Sequence, residues 1–334
     1  MPGLKLIMTS VEDASSMPAA EDAVERIAVM QEQETDSYRH HDYIASAVGK
    51  SGGKARVDSL CRVKMVEWCY QITDYCKFRR ETVAICFSYL DRFLSSPSPR
   101  ATEAIQSRKV YQLAAMTTLY IATKLFEPMT MDTVLLSTLS QGVYSEREIT
   151  VMEREILQAL GWKMNGPTAR DFISYMLALL PKSAYYYDQS TLITLLDFSR
   201  FQADLAVSDY ELSLETTFTV AIASLLNSME GIGEKLLPAQ ERFHFLGVLA
   251  QETAVDPFSV EVNVVRDRLL ELFAENTGYH LPQIANLTPI EIGDEKENKY
   301  GLTRTSSPKG AEDHSCGLEG FNTTSCAFDS VRII

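Results

Sequence analysis

The sequence predicts an all-α fold, two tandem five-helix units preceded by an N-terminal helix. Three observations carry this. Apolar residues recur at three- and four-residue spacing along segments of helix length. No segment alternates apolar and polar residues between turn signals, as a half-buried strand would. Two segments, 109–126 and 218–229, are apolar on nearly every side, the pattern of a helix surrounded by other helices.

The composition supports a sizeable core. The chain has 334 residues, 46% of them hydrophobic, which suffices for two domains without disulfides or metals. The formal net charge of −14 disfavours nucleic acid, whose phosphates the average surface would repel. Residues 1–16 lack the apolar run of a signal peptide, and no stretch reaches the length of a membrane span, so no membrane contact is expected. The six cysteines are scattered, with none in a Cys-x-x-Cys pair. Cys61, Cys69, Cys76 and Cys86 fall in helical patterns and read as reduced, small hydrophobes. No metal site is expected.

Residues 1–17 read as disordered. Residues 18–50 hold an N-terminal helix from about 19 to 48, open to interruption, with a modest stripe at Val24, Ile27 and Met30, then Tyr38, Tyr43 and Ile44. Ser51-Gly-Gly53 breaks it. The first unit, 51–165, follows. Its helices are expected at 58–76, at 80–95 before Ser96-Pro97-Ser98-Pro99, at 109–126 and at 131–141. The fifth starts at a capping box, Ser145-x-x-Glu148, and carries Ile149, Met152, Ile156 and Leu160 at helical spacing.

The second unit, 166–280, restarts at Pro167-Thr168, where Thr168 and Asp171 form another cap-like start. Phe172, Ile173, Met176, Leu179 and Leu180 line one face until Pro181. Further helices are expected at 188–206, 212–229, 238–252 and 257–274. Residues 281–334 are rich in Asn, Ser, Thr, Gly and charge and read as a disordered tail.

The first unit carries Cys61-Arg-Val-Lys-Met-Val-Glu-Trp68, Tyr89-Leu-Asp-Arg-Phe-Leu-Ser95, Ala122-Thr-Lys-Leu-Phe-Glu-Pro128, Met152-Glu153 and Leu160-Gly-Trp162, in that order. This run resembles the cyclin box. Five positions characteristic of that family match: Arg62, Asp91, Leu113, Lys124 and Glu153. The segment between Asp91 and Leu113 is longer than in animal mitotic cyclins, and the excess, at Ser96–Ser107, is absorbed by a surface connection. The second unit resembles the family's C-terminal box more weakly. A Leu-x-Cys-x-Glu motif of D-type members is absent near the N-terminus, so an A/B-like and a D-like subclass both stay open.

The resemblance implies a regulatory subunit that binds and activates a cyclin-dependent protein kinase in cell-cycle control, with no cofactor and no catalytic residue of its own. It implies a structural ion pair, Arg62 with Asp91, locking the first two helices of the box. Lys124 and Glu153 are implied to bind the kinase around its mobile C-helix, with Ile121, Leu125, Leu157 and Trp162 as apolar neighbours; the alternative for the two charges is a mutual salt bridge. Cys61, Met65 and Trp68 form a stripe at i, i+4, i+7. With Gln71, Tyr111 and Gln112 at its rim, they match a docking patch for Arg-x-Leu motifs in substrates and inhibitors. Lys64, Gln71 and Cys61 depart from that pattern, and the bland alternative is a core stripe. Lys296-Glu297-Asn298 resembles a KEN box, a degron read by a ubiquitin ligase. Ser96-Pro97, Ser98-Pro99 and Ser307-Pro308 are candidate proline-directed phosphosites. Family membership implies nucleus and cytoplasm as the location.

Three other readings compete. An enzyme would need a phosphate loop, a metal-binding helix motif or a nucleophile elbow, and none is present. A two-box transcription factor that binds nucleic acid would need a basic surface. A transcriptional cyclin is separated from a cell-cycle one only by the Tyr89–Leu94 motif and the KEN-like tail.

Overall fold

Side-chain caps written into the sequence set most helix starts. The computed structural model describes residues 20–47, 57–180 and 189–278. Helix α1 spans Ala20–Gln33, continues as a π-turn at Glu34–Tyr38, and is followed by the short α2, Tyr43–Ala47. The interruption that the sequence left open in the N-terminal helix falls at 39–42, where Arg39 is extended.

In the first unit, α3 (Ser59–Cys76) begins at Asp58, whose carboxylate accepts from Cys61 N at 2.9 Å. Helix α4 spans Glu81–Leu94, α5 spans Pro99–Gln106 and α6 spans Arg108–Phe126. Helix α7, Thr133–Leu139, is capped by Asp132, and α8, Glu146–Ala159, has the full Ser145–Glu148 capping box. Each such cap satisfies amides that the first turn leaves free and contributes about 1 kcal/mol. Helix α6 is the hub: every residue from Tyr111 to Thr123 is buried. The hydroxyls of Thr117, Thr118 and Thr123 bond back to carbonyls of their own helix, so threonine sits in this core with its donor satisfied.

The second unit contains α9 (Ala169–Ala178), opened by the Thr168–Asp171 capping box, and α10 (Gln189–Ser208). Next come the short α11 (Tyr210–Leu214), α12 (Thr217–Gly231) and the single turn α13 (Gly233–Leu236). Helices α14 (Ala239–Thr253) and α15 (Val260–Thr277) complete it. Helix α12 plays the part of α6, with Val220 through Met229 all buried.

The described residues contain no strand; six helices form the first unit and seven, two of them of five residues or fewer, the second, in keeping with the all-α class expected from periodicity. Two details differ. The connection at Ser96–Ser107 is a helix, α5, whose Ala101 and Ala104 are buried. Its Ser-Pro-rich start resembles a loop, but proline at the first helical position is a start signal. The segment expected as one helix over 212–229 is two, because Thr216 caps Thr219 and resets the backbone.

Each unit has its own buried cluster, one centred on α6 and one on α12. The N-terminal segment belongs to both. Ala23, Ile27 and Met30 of α1 pack into the second cluster, while Tyr43 of α2 packs into the first. Between them, the Glu34 carboxylate accepts hydrogen bonds from Thr217 N, Thr217 Oγ1 and Phe218 N. A carboxylate from outside thus caps the helix at the centre of the second unit, where the dipole favours negative charge. Tyr38 crosses the linker at Gly166, where a Cβ would lie 2.5 Å from the Tyr38 ring, so only glycine fits.

Candidate functional site

Two ion pairs singled out in the sequence are formed, in different surroundings. Arg62 on α3 and Asp91 on α4 are 2% and 3% exposed, with Nη1 2.5 Å from Oδ1. The same Asp91 oxygen accepts from the Tyr43 hydroxyl at 3.0 Å. Arg62 Nε donates to the carbonyl of Val207 on α10 at 3.0 Å, and its guanidinium lies 4.9 Å from the centre of the Phe87 ring. Burial alone would pull the guanidinium pKa down, but Asp91 and Tyr43 outweigh it and the net shift is upward, so the group stays charged. The pair joins α3 to α4 as implied by the resemblance, and it also ties both to the N-terminal segment and the second unit.

A second buried cluster crosses the same boundary. Asp204 on α10 receives Arg170 Nε and Nη2 at 3.0 and 2.6 Å and Arg80 Nε at 3.3 Å. Arg80 also holds Asp74 and stacks 4.2 Å from the Tyr70 ring, while the Tyr70 hydroxyl donates to Asp204 O. A cavity of about 130 Å³ lies among these groups, lined in part by Arg62, Asp91, Arg170, Asp204, Tyr38 and His40. His40 Nε2 is buried there without a hydrogen-bond partner, and burial pushes the imidazole pKa below its usual range.

Lys124, in the last turn of α6, and Glu153, in the middle of α8, meet on the surface. Nζ is 2.6 Å from Oε1, and the side chains are 41% and 15% exposed. The two charges share one face and also form the mutual salt bridge that the sequence left open. The ammonium lies 4.8 Å from the centre of the Tyr120 ring. Burial lowers the Lys124 pKa, the Glu153 bond and charge and Tyr120 raise it, and the net shift is upward. Tyr120 was not singled out in the sequence; its position four residues before Lys124 on one helix is the signal that finds it.

The four expected apolar neighbours divide. Leu125 is 53% and Trp162 68% exposed, and Leu157 is partly buried against the first core. Ile121 is a correction: at 2% exposure it belongs to the core, because it points to the inner side of α6. Trp162 follows Gly161 in a second consecutive left-handed residue, with φ of 57° at Gly161 and 60° at Trp162. Trp162 N donates to Leu157 O at 3.1 Å, closing the end of α8. Left-handed residues also follow other helices of this chain, at Lys77, Gln141 and Ala254, so this conformation is that of a helix end.

The docking patch is the larger correction. Cys61, Met65, Trp68, Tyr111 and Gln112 are all buried, and only Gln71 is exposed. Gln112 accepts from the Tyr144 hydroxyl at 3.1 Å, while the Trp68 indole nitrogen and Tyr111 hydroxyl are buried with no hydrogen-bond partner. The i, i+4, i+7 stripe faces the first core. Helical spacing shows that residues share a face but not whether that face is covered. Of the cysteines expected to be buried, Cys61, Cys69 and Cys86 are, and Cys76 is partly so. Lys296, Glu297, Asn298 and Ser307 lie outside the described residues. Among the described residues no group of His, Cys, Asp and Glu could hold a metal ion, and no helix is long and apolar enough to cross a membrane.

Known proteins resemble this chain in part of its sequence and in fold. Residues 25–165 match the family described as the cyclin N-terminal domain. Cyclin-A1-4 of Oryza sativa subsp. japonica is 25% identical over 169 residues, covering 51% of this chain and 44% of that protein. G2/mitotic-specific cyclin-2 of Antirrhinum majus is 30% identical over 151 residues, covering 45% of this chain and 31% of that protein. The chain thus spans less than half the length of these two relatives. The X-ray structure of a viral cyclin from herpesvirus saimiri superposes with a TM-score of 0.53 at 16% identity, over 77% of this chain and 98% of that one, a likeness of fold. The region similar to the cyclin N-terminal domain, residues 25–165, holds both the buried Arg62–Asp91 pair and the exposed Lys124–Glu153 pair.

Proposed function

We propose that the chain is a non-catalytic regulatory subunit that binds and activates a cyclin-dependent protein kinase in cell-cycle control. The observation that carries this reading is the Lys124–Glu153 pair on one face with the exposed Leu125 and Trp162. In the free chain each charge occupies the other. An exposed pair of this kind is worth only about 0–1 kcal/mol, so both groups can turn to a partner at small cost. Docking then removes water and strengthens the new charge-assisted hydrogen bonds, while the apolar side chains fill the space between.

Activation is a population shift. A kinase is active when its strand lysine pairs with its C-helix glutamate. A surface that binds only the arrangement in which that pair is made stabilises it by the difference in binding energy between the two states. The first unit suits this task because the buried Arg62–Asp91 pair and the buried stretch of α6 from Tyr111 to Thr123 fix the face before contact. The chain contributes binding energy and no chemistry.

The test is a pull-down of kinase from cell extract with wild type and with Lys124→Glu/Glu153→Lys. The double reversal preserves a mutual pair but exchanges the positions of the charges. Kinase capture is expected to fall at least tenfold with circular dichroism unchanged, and undiminished capture by the folded variant overturns the reading.

A further inference from the structure

The connection from α4 to α5 holds two Ser-Pro dipeptides, Ser96-Pro97 and Ser98-Pro99, and the structure distinguishes them. Ser96 Oγ is engaged: it donates to Phe93 O at 2.6 Å and accepts from Ser98 N at 3.4 Å. Ser98 stands at the cap position of α5, yet its side chain makes no capping bond. Its backbone, φ −61° and ψ 133°, is extended, as residues before proline prefer, and this is the form in which a kinase cleft takes a substrate strand. Pro97 and Pro99 on either side are exposed. Helix α5 is only eight residues long, and a first turn without its side-chain cap opens at low cost.

We propose that Ser98 is a phosphorylation site for a proline-directed serine/threonine kinase using ATP. In the transfer the Ser98 hydroxyl oxygen attacks the γ-phosphorus. The new O–P bond forms as the bond from that phosphorus to the β,γ-bridging oxygen breaks. ADP leaves, and the hydroxyl proton passes to the kinase's catalytic aspartate.

Arg100 gives the product its partner. Its Nη1 donates to Glu103 at 2.5 Å within α5, while its Nε lies 3.3 Å from Glu155 on α8, a contact of opposite charges without a hydrogen bond. A phosphate carries nearly two negative charges and three acceptor oxygens, and it competes with a single carboxylate for the fork of an arginine. Phosphorylation two residues away therefore draws Arg100 from Glu155 and loosens α5 from α8, the helix that also carries Glu153. The site stands on its own geometry and does not depend on the role given to Lys124 and Glu153.

The experiment incubates the full chain with a recombinant proline-directed kinase and ATP and maps the phosphate by mass spectrometry. Phosphate on Ser98 is expected, retained in Ser96→Ala and lost in Ser98→Ala. Phosphate on Ser96 in place of Ser98, or on neither, overturns the assignment. A phosphorus NMR titration of the product then tests the partner. Free phosphoserine has its second pKa near about 6, and contact with Arg100 lowers it. The midpoint is expected to be lower in wild type than in Arg100→Gln, and equal midpoints overturn the transfer of Arg100.

Discussion

Arg62–Asp91 and Lys124–Glu153 each join residues 29 positions apart and bridge two helices of the first unit. Their surroundings differ completely. The first pair is sealed from water and saturated by third parties, Tyr43 from the N-terminal segment and Val207 O from the second unit. The second is partly open to solvent, and its ammonium lies against the Tyr120 ring. Removing one member of the buried pair strands a charge, whereas removing one of the exposed pair leaves a group that water can solvate. Chemistry of the same kind therefore gives a fixed joint in one place and an exchangeable contact in the other.

Breaking the buried joint should have the largest effect. Asp91→Ala leaves the Arg62 guanidinium without its counter-charge and the Tyr43 hydroxyl without its acceptor. A loss of about 3–5 kcal/mol is expected, read as a lower urea midpoint and lower soluble yield. Wild-type melting would show that the joint is dispensable.

Glu34 sharpens the comparison, because it is a buried carboxylate whose hydrogen-bond donors belong to a helix start and not to a cation. Glu34→Ala should cost about 1–2 kcal/mol, the range of a lost helix cap. Burial raises the Glu34 pKa above the ordinary glutamate range against the pull of its hydrogen bonds to Thr217 and Phe218. With the folded value above the unfolded one, its pH-linked contribution is fully present below the unfolded pKa of about 4.3. It is lost as pH rises through the folded value. Wild type should therefore lose stability relative to Glu34→Gln as pH climbs from about 4 through the raised folded-state value. Urea melts of the two proteins at several pH values check this, and parallel curves would refute the burial.

The smallest effect belongs to the exposed pair. Lys124→Met should shift unfolding free energy by no more than about 0.5 kcal/mol, since the pair is partly solvated and screened. Equilibrium unfolding in low and high salt is the measurement. A cost as large as that of Asp91→Ala would remove the distinction between joint and contact.

Much of the fold was legible because the signals are local. A cap such as Ser145 with Glu148, or Thr168 with Asp171, involves amides within one turn, so the residues that form it are neighbours in the sequence. The largely apolar segments that became α6 and α12 announced central helices in the same way. The candidate site was legible only through resemblance, since nothing in the spacing from Lys124 to Glu153 says that their side chains meet. The misreading of Cys61, Met65 and Trp68 as a surface patch, and of Ile121 as a surface neighbour, has the same root. Periodicity fixes which residues share a face and is silent on what lies against it.

The amino-acid sequence by itself determined where most of the helices run and which two are central, because propensity, caps and periodicity act within a few residues. The tertiary structure alone decided that Arg62 reaches the carbonyl of Val207, 145 residues away, and that Glu34 caps a helix 183 residues further on. It also decided that one ion pair is sealed while the other stays wet. Those outcomes depend on which surfaces exclude water from one another, and burial is a property of the packed assembly that no short stretch of chain contains.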